Sequence, residues 1–92
     1  MLTLTLKIDD AFSLKARRNK VRSLKDRLRP RFNAAVADLS ENGIVYNRAL
    51  IGVAVISGEQ KHTDEQLQQI LAFTDKLGEF VLEDVKEEII SI

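Results

Sequence analysis

Leu2, Leu4, Leu6 and Ile8 alternate with Thr3, Thr5 and Lys7. Successive strand side chains point to opposite faces, so this period of two predicts a first strand with one buried face. The period then changes. Leu14, Val21, Leu24 and Leu28 recur at helical spacing behind Ser13, whose hydroxyl suits an N-cap. Pro30 is expected to end this helix by biasing Arg29 out of the helical region. Phe32, Ala34 and Val36 alternate again, a turn is expected around Asn42 and Gly43, and an almost unbroken apolar run extends from Ala49 to Ile56. Two strands joined as a hairpin fit this stretch.

Thr63-Asp64-Glu65-Gln66 has the pattern of a capping box, in which Thr and Gln side chains each satisfy a free amide at a helix start. A second helix is therefore expected from Thr63, with Leu67, Ile70, Leu71, Thr74 and Leu77 on one face and Gly78 as its C-terminal cap. From Phe80 to Ile92 two apolar phases overlap, Val81, Val85 and Ile89 on one and Phe80, Leu82, Ile90 and Ile92 on the other. A last strand with a bulge near Asp84 to Lys86 reconciles them. The order β-α-β-β-α-β predicts an α+β, ferredoxin-like domain spanning residues 1–92: a four-stranded antiparallel sheet, first and third strands central, with two helices on one face. The other face would be open. The third strand is apolar on both sides, with Leu50, Gly52, Ala54 and Ile56 against Ala49, Ile51, Val53 and Val55. Either a second copy covers it or longer neighbouring side chains shield it.

Composition is that of an ordinary soluble domain, 45% hydrophobic and 30% charged over 92 residues. The start, MLTLTLKIDD, has no basic n-region and does not read as a signal peptide. The longest uncharged apolar run, Ala49 to Gly58, is far short of the ~20 residues that span a bilayer. A cytoplasmic protein without membrane attachment is the expectation. No cysteine is present, which removes disulfides and thiolate metal sites.

Charge changes the picture more. The formal net charge is zero, yet residues 1–31 carry ten bases against three acids and residues 32–92 carry four bases against eleven acids. The chain is a dipole of +7 and −7 halves, and such asymmetry suggests an anionic partner. Residues 15–31, KARRNKVRSLKDRLRPR, hold nine of the fourteen bases. At about 100° per residue, Lys15, Arg18, Arg22, Lys25 and Arg29 fall within an arc of about 80°, a stripe about 21 Å long. Arg31 extends the basic segment past Pro30, Lys20 and Arg27 flank the other side of the apolar seam, and Arg17 enters the seam with its guanidinium reaching out. Like-charged neighbours destabilise a helix, so the stripe calls for a compensating anion. That anion is either external or supplied by Glu83, Asp84, Glu87 and Glu88, within the chain or across a dimer.

Catalytic chemistry has little to stand on. His62 is the single histidine, no serine has a histidine partner in view, and the four glycines form neither a dinucleotide fingerprint nor a P-loop. No enzyme activity, metal or cofactor is expected. Stacking aromatics of the RNA-recognition-motif kind are missing from the first and third strands. Tyr46, beside Asn47 and Arg48, is the candidate for stacking, or it closes the hairpin loop onto the core.

Ser13-Leu14-Lys15-Ala16-Arg17-Arg18, then Ser23-Leu24-Lys25-Asp26-Arg27-Leu28-Arg29-Pro30-Arg31-Phe32-Asn33, then Arg48-Ala49-Leu50-Ile51-Gly52-Val53-Ala54-Val55-Ile56-Ser57 resemble the YlxP-like family of small bacterial proteins over nearly the whole chain. The resemblance implies a domain of unknown function with a ferredoxin-like fold, no established catalytic residues, and a likeness to ribosome-associated assembly factors. Ala16 and Asn19 depart from the family pattern, and Tyr46 stands where the family often has Trp. The leading expectation is a non-enzymatic RNA-binding or ribosome-associated protein whose Lys15, Arg18, Arg22, Lys25, Arg29 and Arg31 contact phosphates. The alternative is a homodimer or larger homo-oligomer in which the basic helix meets acidic strand residues.

Overall fold

A computed structural model describes residues 1–9, 11–40 and 47–89. Its elements are β1 (Leu2–Ile8), α1 (Leu14–Phe32), β2 (Ala35–Asp38), β3 (Arg48–Ala54), α2 (Gln60–Lys76) and β4 (Phe80–Glu87). The sheet order is β2-β3-β1-β4 and every neighbouring pair is antiparallel. This is the ferredoxin-like α+β arrangement, with β1 and β3 central. The alternation in β1 has the expected effect: Leu2, Leu4, Leu6 and Ile8 are buried, and the first three face Val53, Ile51 and Ala49 of β3 in register. Val21, Leu24 and Leu28 of α1 and Leu67 and Ile70 of α2 complete the core.

On the open face Thr3, Thr5 and Lys7 lie opposite Gly52, Leu50 and Arg48. Gly52 is buried there because Leu39 lies across it; a Cβ at Gly52 would sit 2.8 Å from Leu39 Cδ1. Shielding by a neighbour thus accounts for the smallest residue of that strand.

Several boundaries differ from the sequence expectations. Pro30 does not end α1, which continues to Phe32. Phe32 is buried and packs edge-on against Phe73, ring centroids 5.7 Å apart, so carrying the helix through the proline brings an aromatic into the core. Asn33 ends it instead, in the left-handed region at φ 49°, with its N–H donated to the Arg29 carbonyl. Phe32 is therefore helical and β2 starts only at Ala35. β3 stops at Ala54, not Ile56, since β1 and β2 provide paired partners no further than Val53 and Ala54.

α2 begins at Gln60, and Thr63 is not its cap. Thr63 Oγ1 donates back to the Glu59 carbonyl at 3.3 Å, a bond available to a residue already inside the helix. Gly78, at φ +70°, follows the helix end as expected. In β4 the register jumps between Leu6↔Leu82 and Thr5↔Asp84, so Glu83 is the extra residue and the bulge lies one position before the expected stretch. The jump brings Leu82 and Val85 onto the same face, which resolves the mixed phase. Ile90 and Ile92 lie outside the described residues.

Candidate functional site

The Ser13 hydroxyl accepts the Ala16 N–H at 3.1 Å and its carbonyl accepts the Arg17 N–H at 3.0 Å, so α1 starts where its N-cap predicts. From there Arg17, Val21, Leu24, Leu28 and Phe32 form the buried seam. The remaining bases divide between the two flanks of this seam.

One flank meets α2 and the turn after it. The Arg31 guanidinium lies 4.6 Å from the centre of the Phe73 ring, and Arg27 pairs with Glu79 at 3.8 Å. Arg31 also borders an open groove of ≈500 Å³ with Phe32, Phe73, Gln66, Gln69 and Lys76. The other flank, centred about 100° from the seam, carries the stripe. Arg29 fixes its direction by donating to the Val36 carbonyl at 2.9 Å. Leu39 donates to Leu50 across the β2–β3 pair, and hydrogen-bonded pairs alternate along an antiparallel ladder, so Val36 and Asp38 turn their backbone groups toward the outer edge. Arg29 therefore caps the outer edge of β2, and the stripe runs beside that edge. A basic cover of this kind is one way edge strands are kept from pairing.

The predicted set thus separates. Lys15, Arg18 and Arg22 are exposed and Lys25 is half-buried; none of the four joins an ion pair among the described residues. Arg29 belongs to the stripe but is engaged by a carbonyl, and Arg31 faces α2 on the opposite flank. Tyr46 lies outside the described residues. Compensation of the stripe by the last strand of the same chain is not found among them either. Glu83 pairs instead with Arg48 at 2.7 Å, and β4 is the sheet edge farthest from β2. The acids of β4 and the stripe beside β2 thus lie at opposite edges of the sheet.

Arg17 corrects the sequence reading most. Its guanidinium does not reach out: the residue is 8% exposed and each of its three nitrogens donates within the fold. Nε donates to the Arg48 carbonyl at 3.0 Å, Nη1 and Nη2 grip the two Asp38 carboxylate oxygens at 3.0 and 3.3 Å, and Nη2 also donates to Ser40 Oγ at 2.7 Å. Ser40 in turn gives its N–H to Asp38 and accepts the Leu50 N–H. Burial pushes the Asp38 pKa up, but the bonds from Arg17 and Ser40 outweigh it and hold the carboxyl below its usual range. This network ties the first turn of α1 to the ends of β2 and β3 that face the loop between them.

Sequence reasoning also passed over Phe12. It stands one residue before the N-cap, three before Lys15, and is 80% exposed, whereas Phe32 and Phe80 are buried and Phe73 is half-covered. The signal was present in the sequence, since Phe12 falls outside both the alternation of β1 and the seam of α1.

No helix among the described residues is long and apolar enough to cross a membrane. Among known proteins the chain is similar to the uncharacterized protein YlxP of Bacillus subtilis (strain 168), with 31% identity over 72 residues, 78% of this chain and 77% of that protein. Residues 1–87 match the family described as "Protein of unknown function (DUF503)". Nearly the whole fold, including α1 and both flanks of its seam, lies within that match, and the chain belongs to this DUF503 family.

Proposed function

We propose that this protein is a non-enzymatic, cytosolic RNA-binding or ribosome-associated factor that lays the β2-side flank of α1 along a phosphate backbone. The observation that carries this reading is the set Lys15, Arg18, Arg22 and Lys25, four cations on one helix flank with no carboxylate partner among the described residues. The three like-charged neighbour pairs at this spacing cost about 0.6–1.5 kcal/mol at low salt. A row of phosphates offsets that cost and releases counterions, so binding is salt-dependent and nearly indifferent to base sequence. Four phosphate contacts give a slope of log affinity against log salt of about −2.8 on a single strand and about −3.6 on a duplex if the B-DNA coefficient carries over. Fluorescence anisotropy of labelled RNA across a salt series measures it, and a flat response overturns the reading.

A second reading is favoured by the placement of acid and base on opposite edges of the sheet. One copy's β4 edge, with Asp84, Glu87 and Glu88 exposed, would meet the α1 flank of the next, a head-to-tail contact between copies. Sedimentation separates the two. If Arg18→Glu/Arg22→Glu dissociates an assembly and leaves RNA capture unaltered, the oligomer is the function of the stripe.

A further inference from the structure

We infer that the nucleic acid held by this flank is single-stranded and that Phe12 is the platform on which one of its bases stacks. The inference rests on the RNA reading of the stripe and adds what that reading lacks, a group that tells an unpaired base from a paired one. Phe12 is 80% exposed, and among the described residues it is the aromatic whose ring faces are open: Phe32 and Phe80 are buried, and the Phe73 ring carries the Arg31 guanidinium.

Its backbone is held on both sides. Ala11, immediately before it, is 3% exposed in the core, and Ser13, immediately after it, is bound into the cap of α1 by two hydrogen bonds. The ring therefore projects from a fixed base at the N-terminal end of the stripe. Lys15 follows three residues later and Arg18 six, and the unpaired cations continue to Lys25, about 15 Å along the helix from Lys15. An aromatic at one end of a row of cations is how sequence-tolerant single-strand sites are built: bases stack on the ring while the backbone follows the positive charge. A-form duplexes keep their base faces inside the stack and offer such a ring nothing to hold. A protein partner fits this end less well, because lysine is depleted at protein interfaces and Lys15 is exposed beside the ring.

The test uses the intact protein. The chain has no tryptophan, so Phe12→Trp places a single indole at the proposed platform. An oligouridylate of about a dozen nucleotides, within the usual span of single-strand sites, is expected to quench it, and a blunt RNA duplex of the same length is not. By anisotropy, Phe12→Ala should weaken oligouridylate binding about 5- to 150-fold, the range of base–aromatic stacking, with the salt slope and duplex binding unchanged. Arg18→Ala/Arg22→Ala should weaken both ligands and flatten the slope. If Phe12→Ala binds oligouridylate as the wild type does while the arginine variant loses it, the platform is overturned and the stripe stands. If the arginine variant also binds normally, the RNA reading itself fails. A Phe12→Ala change in sedimentation without a change in RNA affinity assigns the ring to a contact between copies and overturns the platform too.

Discussion

The two flanks of α1 both carry bases, five on the β2 side against three on the α2 side, and are opposite in what those residues do. On the α2 side Arg27 has Glu79 and Arg31 has the Phe73 ring, so both help hold the helix in the fold. On the β2 side Lys15, Arg18, Arg22 and Lys25 join no ion pair among the described residues, and Arg29 alone is tied down. Between the flanks lies Arg17, held inward by Asp38, Ser40 and the Arg48 carbonyl. A run of bases is therefore three populations, sorted by which neighbour each angle on the helix meets.

Arg17 gives the largest expected effect. Removing it leaves Asp38 partly buried without its partner, and Arg17→Met is expected to cost about 2–4 kcal/mol, somewhat under the loss for a fully buried pair because the Asp38 side chain is 27% exposed. Urea unfolding measures it. Arg18→Met, one residue on, should change stability by less than about 0.5 kcal/mol. Equal losses at the two positions would erase the distinction between seam and flank.

Next is the contrast between flanks in binding. Arg18→Glu/Arg22→Glu should lower RNA affinity by about 100-fold or more at low salt, since two phosphate contacts become repulsions, while Arg27→Ala/Arg31→Ala should lower it only a few-fold. Anisotropy on one RNA compares them directly. A matching loss from the α2-side pair would mean that net charge, not the stripe, governs binding.

The Arg17–Asp38 pair also has a pH signature. The Asp38 carboxyl is held below its ordinary range in the folded protein. The stability it contributes is fully present above the unfolded carboxylate value of about 3.9, and is lost as pH falls through the lower folded value. Below about pH 4 the wild type should therefore lose stability more steeply than Asp38→Asn, whose baseline is lower throughout. Parallel curves in urea titrations at several pH values would place the acid sensitivity elsewhere.

How much of this was legible in the sequence follows from the range of each interaction. The alternation of Leu2 to Ile8 and the seam Val21, Leu24, Leu28 are local, and they led directly to β1, α1 and the element order. The stripe was legible for the same reason, since helical geometry alone sets its arc. The partners were not. Arg17 finds Asp38 twenty-one residues away, and Arg31 finds Phe73 across the helix pair, contacts that exist only once the layers are assembled. The start of α2 was hidden because residues 60–66 bury no large apolar side chain and so show no period. Pro30 misled because Phe32 behind it, with Asn33 as the left-handed stop, outweighs the local bias.

The smallest effect separates the flanks most finely, because Arg29 belongs to both descriptions. By its angle it continues the stripe; by its bond to the Val36 carbonyl it is a cover for the edge of β2. If the bond holds when RNA is present, Arg29→Ala removes no phosphate contact and the salt slope stays at the wild-type value, while Arg18→Ala reduces its magnitude by about 0.7 on a single strand. The cost of Arg29→Ala then shows in stability, about 1.5 kcal/mol for one part-buried charge-assisted bond to a carbonyl. If RNA draws the guanidinium away, the slope falls by the same ~0.7 as for Arg18→Ala, and the Val36 carbonyl is left open to solvent in the complex. Salt series on the two single variants decide between these, and a slope change at Arg29 equal to that at Arg18 would extend the free flank to five residues and leave the β2 edge uncovered whenever the protein is bound.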